Sequence, residues 1–430
     1  MSLPLSYEGC LRWLFLDLNS YFASVEQAEN PDLAGKPVAV CPVEGDSGTI
    51  IAASYEAKKF GVKTGTRVGD AKRLCPGIIL VAGRPNVYVS YHRAVIQATE
   101  SVLPIDKVCS IDEFRIRLLG EERDPARARE IALRIKAAIA THVSPQLTSS
   151  IGIAPNAWLA KLATEFQKPD GLVTILPEEL PDRLKGLELT TFTGINRRMK
   201  ARLNAAGVFT SDDLIALDPA GLNRAFGSIM GERWFYLLRG YDLDFQFGTG
   251  KSLGHSHVLP PSMRNDRDTR AILLRLAHKA CARLRAEGLW AKHVTLSVAG
   301  RIRSWSAESR IPPTQDAISL APVIERLWST RDFSQPTQAG ITFTGLQKGP
   351  DATPSLFEPA KDFAQLGHTV DQVNSKFGKN SVYLASIHRS KDTASEKIAF
   401  NKTWLFSEGK DDHAWPDTFR GHPEMLAEPD

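Results

Sequence analysis

Three acids in this chain of 430 residues carry a pattern that could do chemistry. Asp17 lies near the end of an apolar run, WLFLDL, and Asp112 and Glu113 stand side by side between two further candidates, KVCSI and FRIRLL. All three segments read as strands. A carboxylate at the end of a buried strand is costly unless it is solvated, paired or bound to metal. Two strands that each present acids could bring the three carboxylates into one cleft. Hard oxygen ligands of this sort hold Mg²⁺ through one or two carboxylates per ion and leave positions for substrate phosphates. Two such ions about 3.5–4 Å apart can activate an attacking hydroxyl and stabilise a leaving phosphate. The alternative is that each acid is a strand-end turn residue.

Strands and helices must alternate to position these acids. SYFASVEQAEN follows the first strand with helical spacing and ends near Asn30-Pro31. KPVAVCPV (36–43) and GTIIAAS (48–54) read as strands, and SYEAKKFGV as a short helix closed by Gly61. Helices are expected over 87–103 and 126–143, a strand over 147–155, and a further helix in NAWLAKLATEFQKPDG, stopped by Pro169 and Gly171. The first 180 residues therefore read as α/β or α+β. A helical stretch follows (ELPDRLKGL, RRMKARLNAAG, SDDLIAL), then from Lys251 a helix with strands such as HVTLSVAGRIRS and AGITFTGLQ. Boundaries are expected near Leu180 and between Tyr241 and Lys251.

The length suits about two to four modules. Hydrophobic residues make up 43% and charged residues 24%, which excludes a mostly disordered chain. No run of about 18 apolar residues suggests a membrane span, and the N-terminus does not resemble a secretory signal. Five scattered cysteines without a C-x-x-C pair fit reduced thiols in a cytoplasm. Charge is unevenly placed. Residues 1–250 hold 29 basic and 29 acidic side chains, residues 251–390 hold 19 and 11 (net +8), and residues 391–430 hold 5 and 9 (net −4). The basic block suggests a polyanion partner, with a solvated surface as the alternative.

Four blocks in order, FLDLNSYFASVE, ASYEAKKFGVKTG, CSIDEF and SIGIAPNAWLAKLATEFQKPDG, resemble the Y-family DNA polymerases, the lesion-bypass enzymes. The resemblance covers about residues 11–390 and implies an α+β multidomain right hand. Its expected parts are a ferredoxin-like palm (11–20 and 84–180), small fingers (21–83), a helix–hairpin–helix thumb (181–243) and an α/β little finger (250–390), with 391–430 as an acidic tail. It implies that Asp17, Asp112, Glu113 and the Leu18 carbonyl hold two Mg²⁺ ions. Tyr55, Lys58 and Lys168 would clamp the triphosphate of a dNTP, and Phe22 would be the steric gate under its deoxyribose. Lys58 stands where the family has Arg, keeping the charge without the bidentate fork. Thr49 and Ile51 fall where the family roofs the nascent base pair. After the acids, Phe114-Arg115-Ile116-Arg117 departs from the usual pattern and leaves the subfamily open, though Phe114, Ile116 and Leu118 keep one apolar face.

In the thumb, the backbone N–H groups of Gly194 and Ile195 would reach a DNA phosphate. Asn196 replaces a common Gly there and is expected to tolerate a positive φ. The basic block would grip primer-template DNA, with steep salt dependence. His255 and His257 read as a strand or linker feature rather than a metal pair. Ser355-Leu356-Phe357 resembles the apolar end of a sliding-clamp-binding peptide, with a hydrophobic loop anchor as the alternative. The modules fill the chain, so no proofreading exonuclease and low fidelity are expected. The implied function is template-directed DNA synthesis past lesions, with a clamp or mutasome proteins as further partners. The competing readings are a non-catalytic mutasome scaffold and a metal-dependent nuclease.

Overall fold

The structure is a computed structural model and describes residues 5–6, 9–42, 46, 48–243, 252–332, 335–348, 363–378 and 380–393. The described residues divide into two compact units, the first up to residue 243 and the second from residue 252.

The first unit is built around a five-stranded sheet. In spatial order its strands are Lys107–Val108, Glu113–Arg117, Trp13–Leu18, Ser149–Ala154 and Leu172–Thr174. Neighbours run antiparallel except the last pair, which is parallel. Trp13–Leu18 is the middle strand and is buried at every position. Helices cover both faces of it, which is why it is apolar throughout rather than alternating. On one face Leu14, Leu16, Phe114, Ile116 and Ile151 pack with Tyr88, Val95, Ile131 and Ile135 from the helices Pro85–Glu100 and Pro125–His142. On the other, Trp13 and Phe15 pack with Leu159 and Leu162 from the helix Ala157–Phe166 and with Phe192 and Trp234. That helix sits close because Gly152 lies beneath it. A Cβ on Gly152 would fall 2.0 Å from the Ala160 carbonyl oxygen.

A small three-stranded sheet (Ala52–Ala53, Val38–Cys41, Ile79–Ala82) and the helix Val68–Leu74 surround a separate core of Ala39, Ile50, Val62 and Val68. Three expectations change here. The strand expected over 48–54 shrinks to two residues and an isolated Thr49–Arg67 bridge. The helix after Ser54 spans only Tyr55–Lys58. ELPDRLKGL is no α-helix: Pro181 and Gly186, the latter at a positive φ, leave only a 3₁₀ turn at Asp182–Leu184. Four short helices follow, from Arg197–Ala205 to Ile229–Leu237.

The second unit is an antiparallel sheet in the order Ser252–Val258, Gln338–Thr344, Leu289–Ala299, Ser304–Thr314. The helices Asp266–Ala286 and Ala317–Trp328 contribute Ile272, Leu276, Cys281, Leu320 and Ile324 to the core on its apolar face. The helix Phe363–Phe377 lies against the first of these, with Arg285 bidentate to Asp371 at 2.6 and 3.0 Å. His255 and His257 lie within the first strand of this sheet. Ser355-Leu356-Phe357 and most of the acidic tail fall outside the described residues.

Candidate active site

The sheet register assembles the acids. Asp17 stands directly opposite Glu113, so both side chains project from the same face. The Leu18 N–H donates to the Asp112 carbonyl at 2.9 Å, which holds the residue before Glu113 beside the end of the middle strand. Asp17 is only 6% exposed, and buried carboxylates need partners. Two lysines supply them. Lys161 Nζ contacts Asp17 Oδ2, lies 2.9 Å from Glu113 Oε1 and 3.4 Å from Glu165 Oε1. Lys168 Nζ lies 3.0 Å from Asp17 Oδ2 and 2.7 Å from Glu165 Oε1.

The charges act on one another. Burial, with Asp17 and Glu113 adding repulsion, pushes the Asp112 carboxyl up to about 6, against the pull of the Ser110 hydroxyl that donates to it. Burial opposes the charge on Lys161, but Asp17 and Glu113 outweigh it and hold the ammonium above its ordinary range. Burial, then the fields of Asp17 and Glu165, push the Tyr55 phenol up to about 12. Burial and the neighbouring Lys168 lower Lys58, whose Nζ donates to Ser20 Oγ at 2.7 Å and sits 4.2 Å from the Tyr55 ring centroid. The fold thus gathers Asp17, Asp112, Glu113, Tyr55, Lys58 and Lys168 within reach of each other's fields, although they come from four separate segments.

Supporting residues absent from the sequence reading hold this arrangement. Lys161 is one of them, with Glu165 one turn further along the helix Ala157–Phe166. Asn19, 2% exposed, accepts the Asp170 N–H at 2.8 Å and donates to Ser150 Oγ at 3.0 Å, tying the acid strand to the turn after Lys168. Lys136 reaches the same turn, donating to the carbonyls of Asp170 and Gly171 at 2.9 and 3.3 Å. Phe22 is buried, with its ring stacked on Tyr88 at 4.6 Å between centroids. The Tyr88 hydroxyl donates to the buried Glu26 at 2.6 Å, and Arg84 grips the same carboxylate at 2.6 and 3.1 Å.

The hairpin around Gly194 opens on a groove of about 530 Å³ lined by Glu165 and residues 190–196. Gly194 has φ +107°, a conformation that favours glycine. Two expectations are corrected. The Ile195 N–H donates to Phe192 O at 2.9 Å and closes the turn, so it is not turned outward. Asn196 has φ −87° and caps the helix Arg197–Ala205, accepting from the Met199 N–H. It is kept for its side-chain oxygen, not for a positive φ.

Among the described residues no three His, Cys, Asp or Glu side chains form a ready-made metal cage. The donor set nevertheless suits a hard divalent ion. Oxygen-only carboxylates share one sheet end, and Mg²⁺ binds through one or two carboxylates together with substrate phosphates rather than through a complete protein cage.

Comparison with known proteins bears on which enzymes share this arrangement. Residues 16–165 match the impB/mucB/samB family, and residues 250–356 match the C-terminal domain of the same family. A DNA polymerase IV from Moorella thermoacetica is 30% identical over 384 residues, spanning 86% of this chain and 95% of its own. The chain belongs to the Y family of DNA polymerases. DNA polymerase IV 1 of Bacillus subtilis is 28% identical over 413 residues, 92% of this chain and 97% of that protein. Among solved structures, a Y-family polymerase chimera of Dbh and Dpo4 matches with a TM-score of 0.67 at 26% identity, covering 78% of this chain and 99% of its own.

Proposed function

We propose that the chain is a template-directed DNA polymerase that extends a primer 3′-hydroxyl with dNTPs in translesion synthesis. The observation that carries this reading is the register that sets Asp17 opposite Glu113, with Asp112 beside them and Tyr55, Lys58 and Lys168 around them. Asp17, Asp112, Glu113 and the Leu18 carbonyl would hold two Mg²⁺ ions. When bound, such ions favour the alkoxide form of the primer hydroxyl and offset the charge of the leaving pyrophosphate. The protein's own groups do the rest. Lys58, Tyr55 and Lys168 take the triphosphate oxygens and orient the α-phosphate toward the primer end. Phe22, backed by Tyr88, meets the sugar and excludes a 2′-hydroxyl.

In this reading residues 11–20 and 84–180 are the palm, 21–83 the fingers, 181–243 the thumb and 250–390 the little finger. The hairpin at Gly194 holds a phosphate of the duplex. The +8 block of residues 251–390 neutralises further phosphates, a sequence-independent grip. Low fidelity follows from the family. A sliding clamp and mutasome proteins would be its further partners. Among the described residues no helix is long and apolar enough to cross a membrane; the cytoplasm remains the compartment we propose.

A primer-extension assay in Mg²⁺ tests the assignment. Asp112→Ala or Glu113→Ala should abolish extension while DNA binding persists. Extension at the wild-type rate by either variant would refute it. Primer shortening would instead support a nuclease, and absence of chemistry in the wild type a scaffold.

A further inference from the structure

Lys161 stands among the acids that the proposed function assigns to metal. Its Nζ touches Asp17 Oδ2, lies 2.9 Å from Glu113 Oε1, and belongs to a side chain only 15% exposed. The lysine is held from behind. Its helix is seated on Gly152, where an added Cβ would strike the Ala160 carbonyl, and its ammonium lies 5.5 Å from the Phe15 ring centroid. A divalent ion on Asp17 and Glu113 would compete with the ammonium for the same two carboxylates, and two cations held that close repel one another. Lys168, 3.0 Å from the same Asp17 oxygen, adds a second positive charge to that edge.

We propose that Lys161 is an internal counter-ion. It neutralises Asp17 and Glu113 in the metal-free protein and must leave them before metal loads, so it sets the metal affinity of the resting enzyme. This inference rests on the metal-site reading above. A buried Asp17 with the half-buried Asp112 and Glu113 beside it would, without a cation, suffer mutual repulsion that weakens the sheet end. The lysine removes that repulsion, at the cost of competing with the metal. A neighbour for the displaced ammonium is already at hand, since Glu165 Oε1 lies 3.4 Å away. If the lysine-out arrangement is populated at about one part in ten, removing the lysine tightens metal binding about tenfold.

The test is Mn²⁺ titration of the full chain, without nucleotide, followed by electron paramagnetic resonance. Lys161→Gln should bind Mn²⁺ about tenfold more tightly than wild type. It should also melt at a lower temperature in metal-free buffer, with the loss recovered on adding Mn²⁺. Lys161→Arg, which keeps the charge, should stay near the wild-type affinity. Equal or weaker Mn²⁺ binding by a folded Lys161→Gln protein overturns the proposal. If that variant does not fold, amine labelling of the wild type decides. Lys161 should be protected without metal and become reactive in saturating Mg²⁺, and labelling that does not change with Mg²⁺ overturns the proposal. Wild-type Mn²⁺ binding by Glu113→Gln and Asp17→Asn would instead remove the metal-site reading beneath it.

Discussion

Gly152→Ala is the most direct test of how the fold aims the candidate site. The new Cβ would lie 2.0 Å from the Ala160 carbonyl oxygen and 2.8 Å from the Ala163 Cβ. A carbon–oxygen contact normally rests near 3.3 Å, so the helix Ala157–Phe166 must retreat by about 1.3 Å or the strand must buckle. Neither partner is a flexible side-chain end, so little of the strain can be relieved locally. Overpacking of this kind costs about 3 kcal/mol, which in a unit of this size is a fall in Tm of roughly 6–12 °C. The helix also leads into Lys168, so retreat draws that triphosphate clamp away from Asp17. A misplacement of about 1 Å in a positioned group can cost roughly 100-fold in rate. The assay is thermal unfolding together with single-turnover primer extension on the same preparation. A Gly152→Ala protein with wild-type Tm and wild-type extension rate would refute the claim that this close contact positions the site.

Other perturbations follow from the same geometry. Phe22→Ala should admit ribonucleotides, read as a rise in rNTP over dNTP incorporation; unchanged sugar discrimination removes the gate role. Lys136→Met loosens the turn after Lys168 and should raise the dNTP KM about tenfold with little change in kcat, with partial rescue by Lys136→Arg; a pure loss of kcat would refute the positioning role. His92 is 2% exposed, its ring stacked on Phe114 and its Nδ1 2.7 Å from Ile111 O. Burial, opposed by that hydrogen bond and aided by Arg93, pushes it down to about 4 from 6.5. Between those pH values the unfolded chain binds the proton and the folded one does not. Stability should therefore be full above about pH 6.5 and fall by about 3 kcal/mol as pH drops toward 4. Denaturant titrations at pH 7 and 5 should show that slope flatten in His92→Gln; an identical slope in both proteins would show that His92 is not its source.

Much of the candidate site could be read from residue order because its chemistry sits in short runs whose neighbours are local. Asp17 at a strand end and Asp112-Glu113 before FRIRLL remain next to one another once the register is set, and the register follows from burying Leu14, Leu16, Phe114 and Ile116 on one face. What could not be read depends on contacts far apart in the chain. Lys161 meets Asp17 across 144 residues, and Lys136 reaches the Asp170 carbonyl across 34. Neither lysine differs in local pattern from a solvated one. The hairpin misled for a related reason. Asn196 suits both a left-handed turn and a helix cap, and only the backbone path shows that its oxygen serves the Met199 N–H.

Charge links the two halves of the chain. Residues 1–250 balance 29 bases against 29 acids, and the fold brings part of that balance into contact at one sheet end. There the acids are countered by lysines whose charges a divalent ion and a triphosphate would rearrange. An ammonium released from Asp17 is a cation free to meet a phosphate, so metal loading and nucleotide binding should favour one another at Lys168, which touches Asp17 and Glu165 alike. The block of residues 251–390 has 19 bases against 11 acids and so keeps an excess of +8. Salt should therefore weaken the grip on DNA far more than the hold on nucleotide, because exposed charges are screened within a Debye length of about 8–10 Å while buried pairs are screened much less.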